Sequence, residues 1–148
     1  MQINLVLSGG GARGFAHLGV IKAMNEAGIQ IQAISGTSSG AVTGAFIAAG
    51  YSPDETLKIM KDYKLLRLLR GAFNAGLFSM SKFEQIFTTC FPHNSFTELS
   101  MPLYISSTNI YTGKTECFSK GELVPALLAS SSLPVIFKPV HIDGQYYL

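Results

Sequence analysis

The sequence predicts an α/β protein with three layers, in which helices flank a mainly parallel central sheet. Two short apolar segments, residues 3–8 and 29–34, are each followed by a glycine-rich turn and then by a helix-like segment, residues 15–27 and 41–49. Strand, tight turn and helix in repeated order are typical of a parallel sheet. Because the first strand shows no alternation of apolar and polar residues, we expect it to be covered on both faces.

Length and composition indicate one globular domain, residues 1–148. The chain is 47% hydrophobic and 14% charged, and the low charged fraction indicates much buried structure. A net charge of +2 and the lack of a basic cluster interleaved with aromatics argue against nucleic acid as a partner. Cys90 and Cys117 fit no metal spacing, so we expect two buried free thiols in a reducing compartment.

The apolar segment at residues 3–7 is too short for a signal peptide, and longer apolar stretches are interrupted by Gly, Ser or Pro. We therefore expect no membrane span and a cytoplasmic location, with peripheral contact with a membrane left open. Nothing in the sequence indicates the oligomeric state.

The remaining elements are predicted from caps and turns. Ser52, Pro53 and Glu55 form a good helix start, and that helix could continue as far as residue 70. Beyond it the sequence predicts helices at residues 81–90 and 122–129, strands at 101–110 and 115–119, and a final hairpin of residues 140–142 and 145–148.

Two features of the middle segment leave alternatives open. Basic residues recur at every third position in Lys58, Lys61, Lys64, Arg67 and Arg70. This spacing wraps around a helix of 3.6 residues per turn, so a solvated face is favoured over a surface for anionic lipid. The apolar residues that follow could form a lid over an acyl pocket or part of the core: Phe73, Leu77, Phe78 and Met80.

The segment around Ser38 has the pattern Gly-x-Ser-x-Gly, with Gly36 and Gly40 on either side of the serine. It lies between a predicted strand and a predicted helix, which is the context of a nucleophile elbow. The pattern alone also occurs in ordinary glycine- and serine-rich turns. Its position at a strand-to-helix junction favours the elbow.

Residues 9–14 match Gly-x-Gly-x-x-Gly, so a dinucleotide site has to be considered. That site needs an acidic residue at the end of the second strand, and residues 29–36 contain none. Small residues can instead let successive backbone N–H groups converge on an anion. A donor loop after the first strand and a serine after the second would open at the same edge of the sheet, although two purely structural turns remain an alternative.

Together these motifs resemble the bacterial branch of the patatin-like phospholipase family. The residues that carry the resemblance are Gly9-Gly10-Gly11-Ala12-Arg13-Gly14, His17-Leu18-Gly19, Gly36-Thr37-Ser38-Ser39-Gly40-Ala41, Ala129-Ser130, Pro134 and Phe137-Lys138-Pro139. The resemblance implies a three-layer α/β/α fold and hydrolysis of lipid acyl esters by a Ser–Asp dyad, with no metal and no cofactor.

The resemblance also assigns roles to residues. Ser38 is expected to be the nucleophile, and the backbone N–H groups of Gly10 and Gly11, with Ala12, are expected to form the oxyanion hole between Gly9 and Gly14. Arg13 is expected either to bind a lipid phosphate or to brace the loop. We expect His17 to be structural, since the family works without a histidine.

Two positions are considered for the general base. The family places its aspartate in an Asp-Gly-Gly or Asp-Gly-Ala motif, whereas Asp143-Gly144 is followed by Gln145 and is typical of a hairpin turn. We therefore favour a base directly after Leu148 over Asp143. On this interpretation the chain is a fragment of a phospholipid or lysophospholipid hydrolase, and we expect the fragment to be inactive or nearly so. The rival hypothesis is a lipid- or protein-binding module that has the fold without the chemistry.

Overall fold

The computed structural model describes residues 1–63 and 80–148. The strands are β1 (Gln2–Leu7), β2 (Gln30–Gly36), β3 (Leu103–Thr108), β4 (Thr115–Phe118), β5 (Val140–Ile142) and β6 (Gln145–Tyr147). The α-helices are α1 (Phe15–Glu26), α2 (Ser39–Ala48), α3 (Pro53–Asp62), α4 (Ser81–Cys90) and α5 (Leu123–Ser131), with short 3₁₀ helices at Gly11–Gly14 and Phe96–Glu98. The predicted helix extension through residue 70 and the lid residues Phe73, Leu77 and Phe78 lie outside the described residues.

The main sheet has the order β1-β2-β3-β4. The pairs β1–β2 and β2–β3 are parallel, and β4 runs antiparallel to β3. The hairpin of β5 and β6 joins the end of β3 through paired backbone hydrogen bonds between Thr108 and Leu148, of 2.7 and 2.9 Å. The predicted α/β class with a mainly parallel sheet is confirmed.

The two crossovers of the sheet explain where its first helices lie. Since β1, β2 and β3 follow one another in one direction, right-handed connections place α1 and α2 on the same face. The opposite face of β1 is open to solvent, and Val6 is 80% exposed. The expectation that β1 is covered on both faces is therefore wrong for the described residues.

The core lies between the sheet and the helices. Its fully buried side chains include Ile34 and Ile105 from the strands and Phe46, Phe87 and Leu127 from the helices. Cys90 is buried, as expected, but Cys117 is exposed. The prediction of two buried thiols is wrong for Cys117, because its position on β4 faces the open side of the sheet, level with Ser106.

None of the helices at residues 1–63 and 80–148 is long and apolar enough to cross a membrane. Across the same residues, no group of three or more His, Cys, Asp or Glu side chains is arranged to hold a metal ion.

Candidate active site

Ser38 lies at a sharp turn between β2 and α2. Strand β2 ends at Gly36 and helix α2 begins at Ser39, so that Ser38 is the N-cap residue of the helix. Its backbone has φ 52° and ψ −122°, a conformation that L-residues rarely adopt. Such a conformation costs on the order of 1–3 kcal/mol and persists only where the surroundings enforce it. This is the geometry expected of a nucleophile elbow.

The glycines beside Ser38 allow this turn to pack against neighbouring backbone. A Cβ at Gly40 would lie 2.2 Å from the carbonyl oxygen of Leu7, and one at Gly36 would lie 2.6 Å from the backbone of Gly40. Both distances are well below van der Waals contact with atoms that cannot move aside. The pattern Gly-x-Ser-x-Gly therefore has a steric cause in this fold.

Hydrogen bonds fix the backbone of the turn. The N–H of Ser38 donates to Ser130 Oγ at 2.8 Å, and Ser130 Oγ donates to the carbonyl of Ser106 at 2.7 Å. On the other side of the serine, the N–H of Val42 donates to the carbonyl of Ser38 at 3.0 Å. The N–H of Thr37 donates to the carbonyl of Leu7 at 3.1 Å, which ties the turn to the end of β1.

The glycine-rich loop after β1 passes beside Ser38. A Cβ built on Gly9 would lie 3.3 Å from Ser38 Cβ. The loop then enters the 3₁₀ helix Gly11–Gly14, in which the N–H of Arg13 donates to the carbonyl of Gly10 at 3.1 Å. Arg13 is the first residue whose N–H has an acceptor within this helix, so the preceding amides of Gly11 and Ala12 have no intrahelical partner. The structure thus brings the predicted donor loop and the predicted nucleophile together.

Arg13 and His17 are the two other residues near the loop for which the sequence predicts a role. Arg13 is exposed, and its guanidinium forms no hydrogen bond or ion pair with any residue in the described parts of the chain. The Nε2 atom of His17 donates to the carbonyl of Ser8 at 2.9 Å. This contact braces the start of the loop against α1 and agrees with the structural role expected for His17.

Two cavities of different width are lined by Ser38. One is a narrow apolar cavity with a free volume of about 30 Å³, whose described lining includes Phe15, Val42, Met60 and Phe83. The other is a wider cleft of about 450 Å³ with a wall of hydroxyl groups, formed by Thr37, Ser106, Ser107, Thr108 and Ser130. A larger surface cleft of about 700 Å³ lies near Gln30 and Tyr51, at the opposite end of β2, and contains none of the predicted site residues.

Asp143 occupies the turn of the C-terminal hairpin. Asp143 and Gly144 have φ values of 48° and 80°, as a two-residue hairpin turn requires, and the pair Ile142–Gln145 closes the turn. The predicted hairpin is confirmed. Among the described residues, Leu148 lines the wider cleft beside Ser38, whereas Asp143 does not.

The backbone of Leu148 is firmly held in this cleft. Its carbonyl accepts hydrogen bonds from the N–H of Thr108 at 2.7 Å and from Ser107 Oγ at 2.8 Å. The hydroxyl groups of Ser106 and Thr37 are also hydrogen-bonded to each other. Sequence reasoning did not single out Ser106 or Ser107, although their position at the carboxyl end of β3 puts them at the same sheet edge as Ser38.

Fold and site together define an α/β protein with a serine at a strand-to-helix elbow beside a glycine-rich loop. The family model described as patatin-like phospholipase matches residues 5–148. The chain belongs to this family.

Relatives agree with this assignment. A protein of Mycobacterium tuberculosis described as an uncharacterized NTE family protein is 33% identical over 147 residues, which cover 97% of this chain and 41% of the relative. Lysophospholipase NTE1 of Coccidioides immitis is 33% identical over 154 residues, covering 99% of this chain and 10% of the relative. The chain therefore spans less than half the length of these relatives.

Solved structures show the same fold at low identity. VipD from Legionella pneumophila superposes with a TM-score of 0.67 at 17% identity, over 97% of this chain and 44% of VipD. ExoU from Pseudomonas aeruginosa, solved in complex with SpcU, gives a TM-score of 0.63 at 20% identity, over 90% of this chain and 39% of ExoU. The predicted patatin-like fold class is confirmed.

Proposed function

We propose that this chain forms the core of a serine hydrolase that cleaves acyl esters of phospholipids or lysophospholipids. The observation that carries the proposal is the placement of Ser38, which lies at a strained elbow beside the glycine loop and lines two cavities. Family membership and a relative named lysophospholipase support the lipid substrate class.

The proposed chemistry begins with attack of Ser38 Oγ on the ester carbonyl carbon, while a general base takes the hydroxyl proton. The oxyanion that forms would accept hydrogen bonds from the amides of Gly10, Gly11 and Ala12, in the loop whose Gly9 lies next to Ser38. Collapse of this intermediate expels the alcohol with a proton and leaves an acyl-serine. Water then hydrolyses the acyl-serine and regenerates Ser38.

The two cavities suggest how an ester would be oriented. The apolar cavity, walled by Phe15, Val42, Met60 and Phe83, suits the first carbons of an acyl chain. The wider cleft has room for the alcohol half of the ester, and hydroxyl groups lie along one of its walls. Arg13, exposed at the loop, is proposed to bind a lipid phosphate.

We place the general base of the dyad directly after Leu148 in the chain. The carbonyl of Leu148 is held by Thr108 and Ser107 inside the cleft that Ser38 also lines, so the following residue would start beside the nucleophile. Asp143 lies instead in the exposed hairpin turn. The 148-residue chain by itself should then have little or no activity, because a serine without its base is a poor nucleophile.

The test adds residues to the end of the chain. Three proteins are compared: the 148-residue chain, the chain with Asp-Gly-Gly after Leu148, and the matched control with Asn-Gly-Gly. With a short chromogenic acyl ester, we expect turnover from the aspartate form alone, at least about 10³-fold above the asparagine form, and its loss in Ser38→Ala.

Other outcomes identify the rivals. If the 148-residue chain itself turns over and Asp143→Asn removes the activity, Asp143 is the base and the proposed location is wrong. If no form turns over and Ser38 is not labelled by a fluorophosphonate, the chain is a binding module with this fold.

A further inference from the structure

Ser130 connects the turn at Ser38 to a different part of the fold. It lies near the end of α5, it is 8% exposed, and its Oγ is 2.8 Å from the backbone nitrogen of Ser38. The same Oγ is 2.7 Å from the carbonyl oxygen of Ser106 on β3. We infer that Ser130 is a positioning residue that fixes the backbone of the nucleophile, an inference that rests on the proposed function.

The direction of both hydrogen bonds follows from the groups involved. The backbone N–H of Ser38 can only donate, so Ser130 Oγ accepts from it. The carbonyl of Ser106 can only accept, so the hydroxyl proton of Ser130 points to it. With its proton committed in this way, Ser130 presents a lone pair to Ser38. A serine side chain fits both demands, and alanine fits neither.

The conformation of Ser38 explains why such a contact is needed. Its φ of 52° is unfavourable for a residue with a Cβ, so neighbouring groups must hold it. As the N-cap residue, Ser38 has an N–H without a partner inside α2. Ser130 supplies this partner from a helix more than ninety residues further along the chain.

The expected consequence of losing the contact is a displaced nucleophile. Small displacements of a reacting group lower the rate of the chemical step more than they weaken substrate binding. In the aspartate-extended chain, we expect Ser130→Ala to lower kcat about 10- to 100-fold, with KM changed by no more than about twofold. Ser130→Thr, which keeps the hydroxyl, should recover most of kcat.

Ser100→Ala is the matched control, because Ser100 Oγ donates to the carbonyl of Ala48 at the other end of α2, at 2.7 Å. It makes the same chemical change away from Ser38, and we expect kcat within about twofold of the unmodified chain. Amide hydrogen exchange gives a second readout: the Ser38 amide should exchange faster in Ser130→Ala and unchanged in Ser100→Ala. If Ser130→Ala does not fold, Ser130→Cys takes its place, since a thiol is similar in size and hydrogen-bonds weakly.

The outcomes separate this inference from the proposed function. A kcat for Ser130→Ala equal to that of Ser100→Ala overturns the inference alone, as does a raised KM with kcat unchanged. Absence of any Ser38-dependent turnover in the aspartate-extended chain overturns the proposed function and with it the catalytic role of Ser130.

Discussion

The elbow at Ser38 and the hairpin that carries Asp143 are held in place by different contacts. At the elbow, two glycines allow neighbouring backbone to pack closely, and hydrogen bonds connect the turn to β1, β3 and α5. The hairpin consists of two three-residue strands, its turn is exposed, and it joins the sheet where Leu148 pairs with Thr108. The elbow is thus enclosed on several sides. The hairpin is held along one edge, by backbone pairing with Thr108 and by the buried Tyr147, whose hydroxyl donates to Glu116 at 2.8 Å.

This difference predicts that changes near the nucleophile and changes near the proposed base have different effects on stability. A change at the elbow should disturb folding and activity together, because the same contacts serve both. A change after the hairpin, such as the added aspartate, should alter activity with little effect on stability. Measurements that separate these two effects therefore test the comparison.

The largest effect is expected for Gly40→Ala. The added Cβ would lie 2.2 Å from the carbonyl oxygen of Leu7, and backbone atoms there cannot move without displacing β1. Overpacking of this kind typically costs about 1–3 kcal/mol or more. Urea unfolding should show this loss, and turnover by the aspartate-extended chain should fall by more than about 10²-fold.

Gly19→Ala is the control for this change. Gly19 lies within α1, and nothing comes within 4 Å of a Cβ built on it. Alanine at such a helical position should stabilise the protein by about 0.5–1 kcal/mol and leave turnover unchanged. Equal stability of the Gly40→Ala and Gly19→Ala proteins would contradict the steric account of the elbow.

A smaller effect is expected at the apolar cavity beside Ser38. Its free volume of about 30 Å³ holds only one or two water-sized groups, so its walls should limit the acyl chain. Truncation in Met60→Ala should admit at least one more methylene and shift the ratio of kcat/KM for longer over shorter acyl esters about tenfold. The ratio is measured within one protein, so a loss of stability does not affect it.

Ile86→Ala provides the comparison for Met60→Ala. Ile86 is also a buried core side chain, on α4, but it does not line the cavity. Its truncation should lower stability by a similar amount and leave the ratio of acyl-chain preferences as it was. If both variants shift the ratio equally, general loosening of the core explains the effect and the cavity does not set chain length.

Most elements of the fold could be predicted from the sequence because local signals mark them. Ser52, Pro53 and Glu55 predict the start of α3, and the structure has the complete capping box there. Asp143-Gly144 predicts the hairpin, and both residues have the required positive φ. The glycines around Ser38 predict a strand-to-helix turn, and the turn lies between β2 and α2.

Features that depend on distant packing could not be predicted in this way. The open face at Val6 follows from the order of three strands, which no local pattern encodes. The contact between Ser38 and Ser130 joins residues far apart in sequence. Ala129-Ser130 belongs to the residues that carry the family resemblance, but that resemblance assigns Ser130 no partner. Met60 and Phe83 meet at the cavity only because α3 and α4 pack near the elbow.

The smallest effect on stability is expected at the capping box of α3. It serves as a reference, because it belongs neither to the elbow nor to the hairpin. The N–H and the hydroxyl of Ser52 donate to Glu55 Oε2 at 2.8 and 2.7 Å. These bonds, the backbone one first, hold the pKa of Glu55 below its ordinary value of 4.5. Because the pKa is lower in the folded protein, the stabilisation is complete above the unfolded-state pKa and is lost as the pH falls through the folded-state pKa.

Urea unfolding of the unmodified chain and of Glu55→Gln at pH 7 and pH 3 tests this prediction. The variant should be slightly less stable at pH 7, and the difference should be smaller at pH 3, because the stabilisation decreases as the pH falls from the unfolded-state pKa towards the folded-state pKa. Glu84→Gln is the control, since Glu84 lies in the first turn of α4, whose N-cap residue makes no side-chain cap. A difference for Glu55→Gln that stays the same at both pH values would mean that packing, and not the ionised carboxylate, stabilises the helix start. Turnover should be unchanged in both variants, because a stability effect this far from Ser38 should not reach the elbow.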